Sequence, residues 1–142
     1  MSFETLHEET FDALKKDAFL AERQVDVLLE DKGDITSAIA QSIAKLGICA
    51  VVAMSGAKAM SENARLITAM ADITVQVLEI PTANRRRANG CSAIATARHI
   101  ATALNLRKLP GGETLVFSEI TSGILDKGTL MYSVSFKALT TL

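Results

Sequence analysis

The sequence is poor in the residue types that mark several common classes of protein. It has no tryptophan, aromatic residues make up 4% of its 142 residues, and its formal net charge is −1. Its core must therefore be built from aliphatic side chains and alanine. The near-neutral charge argues against non-specific nucleic-acid binding, which needs a broad basic surface. The longest apolar run, residues 46–54, is too short to span a bilayer.

Motifs for metal, redox or cofactor chemistry are also missing from the sequence. The two cysteines, Cys49 and Cys91, do not form a C-x-x-C pair, and the chain has no phosphate-binding loop, dinucleotide fingerprint or H-E-x-x-H motif. We therefore expect no catalytic residue, no metal and no cofactor. The N-terminus is acidic and polar, unlike a signal peptide. We expect free thiols in a cytoplasmic protein.

The length and the apolar periodicity predict one α+β domain over residues 1–142. The predicted order is α-β-α-β-β-α-β-β, with helices over residues 3–18, 35–46 and 91–106, and strands over residues 24–29, 48–57, 71–80, 114–120 and 130–139. This order favours a single mixed, mostly antiparallel sheet with helices packed on it. Residues 58–70 lack a strict period and are predicted to form an irregular connection, with room for some strand, between two antiparallel strands. Ser122-Gly123 and Lys127-Gly128 are predicted to mark the link between the last two strands.

Individual residues predict where elements end and which helix faces are buried. Gly47 is placed to end the second helix, and Gly56 to permit a bulge in the strand that follows. Asp34 is placed to cap the second helix, and Asn89 or Ser92 the third. The third helix is predicted to bury a stripe made by Ile94, Ala97, Ala101 and Leu104. The continuous apolar run after Gly47 predicts a strand that is buried on both faces.

The stretch of residues 71–87 joins the best predicted strand to the largest cluster of positive charge. Ile73, Val75 and Val77 alternate with polar residues, as in a half-buried strand. Pro81 lacks the N–H that a continuing strand would need. The chain then reaches three consecutive arginines, Arg85, Arg86 and Arg87. Three positive charges are thus expected close together on the surface, just after the end of an apolar strand.

Three interpretations of Arg85, Arg86 and Arg87 stay open. They form a solvated turn, they contact the acidic face of a neighbouring subunit, or they contact nucleic-acid phosphates as part of a binding module. The scarcity of aromatic side chains disfavours an RNA-reading sheet, which needs exposed stacking rings. Glu79 is the one acid at an apolar strand end, and it is a candidate partner for one of the arginines, within the chain or across an interface.

Two residues with catalytic potential have a simpler structural interpretation. Cys91 opens the third helix, where the helix dipole lowers a thiol pKa, and a small enzyme with Cys91 as nucleophile is an alternative function. Such a nucleophile needs a base and an oxyanion site, and the sequence indicates neither. His99 lies in the middle of the same helix, far along the chain from the only other histidine, His7. We interpret both Cys91 and His99 as structural.

The element order and one short pattern resemble a known family. The strand Ile-Thr-Val-Gln-Val-Leu-Glu-Ile-Pro, with Glu79-x-Pro81 at its end, is followed by Asn84-Arg85, a helix and two strands. This arrangement resembles the small tail-completion proteins of long-tailed bacteriophages and prophages, among which the tail terminators are the nearest class. The likeness extends from the strand containing Val25 to the strand containing Phe136. The N-terminal helix and the triple arginine depart from the family pattern.

The resemblance implies a non-enzymatic structural role in a virion. Proteins of this family form a ring, commonly of six subunits, that caps the tail tube, stops its growth and presents a surface to the head–tail connector. The implied partners are further copies of the chain, the tail-tube protein and the connector, with no membrane and no nucleic acid. The implied location is the bacterial cytoplasm and then the virion tail. On this reading Glu79, Asn84, Arg85, Arg86 and Arg87 are candidate interface residues.

Overall fold

The computed structural model describes residues 3–30, 35–63, 66–84, 90–125 and 128–142. The elements in chain order are α1 (Phe3–Lys15), α2 (Ala18–Glu22), β1 (Asp26–Leu29), α3 (Ile35–Leu46), β2 (Ile48–Asn63), β3 (Leu66–Glu79), α4 (Pro81–Asn84), α5 (Ala93–Leu104), β4 (Val116–Ile124) and β5 (Leu130–Thr141). With the short helices α2 and α4 set aside, this is the predicted order. The fold class is α+β, as the sequence predicts.

Five strands of the described chain form one sheet in the order β1-β2-β3-β5-β4. β1 pairs with β2 in parallel, and the β2–β3, β3–β5 and β4–β5 pairs are all antiparallel. The prediction of a single mixed, mostly antiparallel sheet is confirmed. The central strand, β3, pairs with β2 and β5 along most of its length. Both edges of β3 are therefore paired within the sheet.

The main core lies between the sheet and the helices α1 and α5. On β3 the side chains of Ile73, Val75 and Val77 are fully buried, as their alternation predicts. They pack with Phe136 of β5 and with buried residues of both helices. Apart from Phe136, the core interior is built almost entirely from aliphatic and alanine side chains, as the scarcity of aromatics requires.

A second, smaller cluster lies on the opposite face of the sheet, under α3. It contains Cys49, Val51 and Leu78, against which the helix packs Ile39 and Ile43. Residues 48–52 of β2 are all buried, which confirms that this apolar run is covered on both faces. α3 covers this face of the sheet only near β1 and β2. Farther along the same face, β5 carries the polar side chains of Ser133, Ser135 and Lys137.

Two glycines occupy the backbone conformations that the sequence predicts for them. Gly47 ends α3 with a φ of +78°, and its N–H donates to the Ile43 carbonyl at 2.9 Å. Gly56 has a φ of +132° and follows a shift in the β2–β3 register at Met54. This shift is a β-bulge, in which one strand contains an extra residue. Both predictions are confirmed.

The flanking strands are antiparallel, as predicted, but the prediction that residues 58–70 are mainly an irregular connection is wrong. β2 continues to Asn63 and β3 begins at Leu66, so most of this stretch forms a long two-stranded arm. A second register shift lies between Ala59 and Ser61. Each bulge reverses the inside–outside alternation of the strand, so a strict two-residue period cannot appear in the sequence.

The link between β4 and β5 also lies later than Ser122-Gly123. Ser122 and Gly123 belong to β4, where they pair with Tyr132 and Met131 of β5. The chain turns further on, where the Leu125 N–H donates to the Thr129 carbonyl at 2.8 Å. Asp34, Asn89 and Lys127 lie outside the described residues.

The third helix begins later than predicted and is rotated relative to its predicted stripe. α5 starts at Ala93 with Ser92 as its N-cap, and the Ser92 hydroxyl accepts the Ala95 N–H at 3.2 Å. Ala93, Ala97 and Leu104 are buried, whereas the side chain of Ile94 is 59% exposed, which contradicts its predicted place in the stripe. Thr96 and Ile100 are buried as well, so the buried stripe is centred on Ala93, Ala97 and Leu104, and Ile94 falls at its edge.

The first helix is shorter than predicted because a second cap interrupts it. α1 ends at Lys15, and Asp17 then caps α2, its carboxylate accepting the Leu20 N–H at 3.0 Å. Aspartate favours helix starts over helix interiors because its side chain competes for backbone N–H groups. The prediction that a single helix runs over residues 3–18 is therefore wrong at its C-terminal end.

Candidate functional site

The corner between β3 and α5 contains two of the predicted interface residues. Glu79 is the last residue of β3, and its side chain points to the same face as Val75 and Val77. Pro81 begins α4, the single helical turn that reverses the chain, and Asn84 ends it. Glu79 and Asn84 are only 5% and 4% exposed. A carboxylate buried to this degree needs hydrogen bonds to offset the loss of water.

The Glu79 carboxylate accepts one hydrogen bond on each oxygen. Its Oε1 accepts the backbone N–H of Ala93 at 3.1 Å, and its Oε2 accepts from the side-chain amide of Asn84. Ala93 is the first residue of α5, whose N–H groups have no partner within the helix. A negative charge at this end of a helix is also favoured by the helix dipole. Glu79 thus anchors α5 to the end of the central strand.

Asn84 connects the two ends of the segment that carries the arginines. Its amide donates to Glu79 and also to the backbone carbonyl of Cys91 at 2.6 Å. The side chain of Asn84, at the end of α4, is therefore bonded directly to the backbone of Cys91, just before α5. Arg85, Arg86 and Arg87 lie outside the described residues. Their pairing with Glu79, and the interface role of all five residues, stay predictions.

Gly47 brings the end of α3 into close contact with the same corner. Its carbonyl accepts the Ile80 N–H at 2.8 Å. A Cβ at position 47 would lie 2.6 Å from the backbone nitrogen of Asn84 and 3.0 Å from the carbonyl carbon of Ala83. The backbones of two elements thus meet where only a glycine fits. The corner is held from three sides, by α3, by β3 and by α5.

An open cavity of about 410 Å³ lies beside this corner. Both polar and apolar residues line it: Glu79, Pro81, Asn84, Gly90, Cys91, Ser92, Ile94, Leu130 and Tyr132. The carboxylate of Glu79 is already bonded on both oxygens, so it is not poised as an acid or base in this cavity.

Cys91 and His99 have structural contacts in the described chain. The sulfur of Cys91 lies 2.9 Å from the Thr96 hydroxyl, with which it shares a hydrogen bond. His99 Nε2 lies 2.9 Å from the Asp17 carboxylate, and its ring stacks on Phe19 with centroids 4.2 Å apart. His99 therefore links α5 to the start of α2. The alternative of a Cys91 nucleophile gains no support from these contacts.

The outer surface of β4 is a feature that sequence reasoning missed. Val116, Phe117, Ile120 and Ile124 are exposed, and the side chain of Ile124 is exposed to 77%. An exposed apolar edge strand is a typical contact surface. These apolar residues lie on both faces of β4, whereas a strand with one face in water has its apolar residues on the other face only. This departure from strict alternation is the signal that could have indicated a contact surface.

Within residues 3–30, 35–63, 66–84, 90–125 and 128–142, no group of three or more histidine, cysteine, aspartate or glutamate side chains is placed to hold a metal ion. Over the same residues, no helix combines the length and the apolar character needed to cross a membrane.

Cys49 should give the chain a measurable loss of stability at alkaline pH. Burial raises the pKa of its thiol from 9.0 to about 12, and the negative charge of Asp26, opposite Cys49 on β1, contributes. The folded state holds this proton more tightly than the unfolded chain does. The stabilisation is complete below pH 9 and is lost as the pH rises toward 12, by up to about 1.4 kcal/mol per pH unit.

The comparison of wild type with Cys49→Ala isolates this effect. Urea unfolding at several pH values should show the free energy of unfolding falling more steeply for wild type than for the variant above pH 9. Other alkaline groups titrate in both proteins and cancel in the difference. Parallel profiles of the two proteins would contradict the assignment.

The comparisons with known proteins give a match in fold. No protein-family model matches the chain, and no curated protein matches it. Among solved structures, the chain is similar to a chain in the virion of a native gene transfer agent (GTA) particle, with a TM-score of 0.64 and 17% sequence identity. The match covers 96% of this chain and 95% of that chain. At this identity, the likeness shows a common fold.

Proposed function

We propose that this chain is a structural protein of a phage-type virion, and that it acts as a tail terminator or neck-type completion protein. In this role it forms a ring, with six subunits as the expected number, on the end of the tail tube. The ring stops growth of the tube and presents its other face to the head–tail connector. The role involves no catalysis, and the partners are further copies of the chain, the tail-tube protein and the connector.

The observation that carries this proposal is the match along nearly the full length to a chain of a GTA virion. The match covers 96% of this chain and 95% of that chain. The resemblance of the Glu79-x-Pro81…Asn84-Arg85 pattern to the tail-completion proteins rests on the sequence and does not depend on this structural match. Because one fold serves many functions, the two together support the role more than either does alone.

The corner at Glu79 and Asn84 supports a docking role for the arginines between Asn84 and Cys91. Both side chains bond within the chain, so they serve to hold the corner. In general, a binding segment that is attached to a rigid support pays a smaller entropy cost on binding. In the proposed role, Arg85, Arg86 and Arg87 contact acidic groups of a neighbouring subunit or of the connector.

Deletion of the gene in cells that produce the particles tests this proposal. Electron microscopy of the deletion strain should show heads separated from tails, together with tubes of unregulated length. A plasmid copy of the wild-type gene should restore normal particles, and a copy carrying Arg85→Ala, Arg86→Ala and Arg87→Ala should restore far fewer. Normal particles in the deletion strain would rule out the proposed role. Full rescue by the triple variant would rule out only the docking role of the arginines.

A further inference from the structure

The sheet has unpaired strand edges on both of its sides. β4 is the last strand on one side, and its outer edge faces no other described strand. On the other side, β1 pairs with residues 49–52 of β2 only. In the described chain, no strand pairs with the outer edge of β2 over residues 53–63, which belong to the long arm. Unpaired edges of this length readily accept a strand from another chain.

The outer edge of β4 has the usual protection of an edge strand only at its start, where a register shift between Phe117 and Glu119 and the charge of Glu119 lie, and residues 120–124 carry no charge. The side chain of Asn105 accepts the Phe117 N–H at 3.0 Å, so the edge is covered as far as Phe117. Residues 118–124 follow without a proline or a lysine, and Ile120 and Ile124 are exposed there. Proteins that keep an edge free normally place such residues on it to prevent pairing. The edge of β4 therefore has the character of an interface strand.

The arm of β2 offers a complementary edge of small residues. Ala57 and Ala59 are exposed and point to the face of the sheet that also bears Ile73 and Val75. Ile120 of β4 points to the same face, because it pairs with Val134 and Val134 pairs with Val75. Large side chains on one edge thus correspond to small side chains on the other.

The charges and strand directions of the two edges also correspond. Lys58 of β2 and Glu119 of β4 are exposed and lie on the same face of the sheet, the one on which α3 packs. β2 and β4 run in opposite directions, because three antiparallel pairings separate them. Copies that repeat in one orientation around an axis would therefore place β2 antiparallel to the β4 of the neighbouring copy. An antiparallel register that sets Lys58 opposite Glu119 also sets Ala57 opposite Ile120.

We propose that the arm of β2 in one copy pairs with the outer edge of β4 in the next copy, so that the sheet continues from subunit to subunit. The contact joins two different surfaces, and repeated contacts of this kind close into a ring when the rotation permits. The inference rests on the proposed function for its ring, and it names the surfaces that build it.

Engineered cysteines test the pairing directly. Ala57→Cys and Ile120→Cys are combined in one chain on a Cys91→Ala background, in which Cys49 stays buried. Oxidation at high protein concentration should give a ladder of covalent multimers that a reducing agent removes, because opposed strand residues lie within reach of a disulfide. Neither single-cysteine variant can extend beyond a dimer, so both serve as controls. If the double variant gives no ladder while light scattering shows that it associates, the proposed interface is wrong.

Charge reversal tests the same contact in the non-covalent assembly. Glu119→Lys and Lys58→Glu should each weaken self-association about tenfold in light scattering, since each places like charges opposite each other, and the double reversal should restore it.

Ile124→Lys should weaken association, whereas Leu139→Lys on the interior strand β5 should not, although both side chains are exposed. Wild-type-like association of the single reversals would overturn the pairing but not the virion role. If rings form through another surface, the strand pairing is wrong but the proposed virion role is unaffected. If particles are normal after gene deletion, the virion role itself is wrong.

Discussion

Replacing Gly47 with alanine should lower the free energy of unfolding by about 3 to 5 kcal/mol, which is a large part of the stability of a domain of this size. Two costs add at this position. The φ of +78° is unfavourable for a residue with a side chain, and the new Cβ would lie 2.6 Å from the backbone nitrogen of Asn84. Backbone atoms of α4 cannot move aside without disturbing the hydrogen bonds of the Glu79 corner. Urea unfolding measures the loss.

Gly128 provides a matched control for this prediction. Its φ is +75°, nearly the value at Gly47, but no described atom lies within 4 Å of where a Cβ would stand. Gly128→Ala should therefore cost only the conformational part, about 1 to 2 kcal/mol. If the two alanine variants lose the same amount of stability, the close contact between Gly47 and α4 is not important.

Replacing Glu79 with alanine should lower the free energy of unfolding by about 2 to 4 kcal/mol. The variant leaves the N–H of Ala93 and one bond of the Asn84 amide without their acceptor in a buried place. Each unsatisfied buried group costs about 1 to 3 kcal/mol, and the favourable interaction with the start of α5 is lost as well. Hydrogen exchange should rise first in the N-terminal turn of α5.

Asp72→Ala is the control on the same strand. Asp72 pairs with Lys137 at 2.7 Å, but both side chains are about half exposed. Such surface pairs contribute at most about 1 kcal/mol. Glu79→Gln keeps one oxygen acceptor and should lose less stability than Glu79→Ala. A loss for Glu79→Ala no larger than that for Asp72→Ala would show that the buried carboxylate does not anchor α5.

The central part of the fold could be predicted from the sequence because its pattern is unbroken. β3 alternates strictly around Ile73, Val75 and Val77, and α3 begins and ends at the predicted residues. The arm at residues 58–70 could not be predicted, because its bulges interrupt the alternation. The orientation of α5 depends on the hydrogen bond from Ala93 to Glu79, fourteen residues earlier in the chain. The periodicity of the helix sequence alone cannot reveal a contact with another element.

The candidate site was predictable only in part. The position of Glu79 at the end of an apolar strand indicates that the acid has a special partner. Its described partners are the Asn84 amide and a backbone N–H, which no pattern in the sequence indicates, and its pairing with one of the arginines stays a prediction. The edge of β4 was missed because exposure of Ile120 and Ile124 depends on sheet order, which places β4 last.

The most direct test of the central claim is mass spectrometry of particles purified from cells that carry the gene. If the chain is a virion structural protein, its peptides should remain with the particles through density-gradient purification. They should occur at a constant copy number per particle, close to that of one ring of about six subunits. Recovery of the chain only in the soluble fraction, with none in intact particles, would contradict the account.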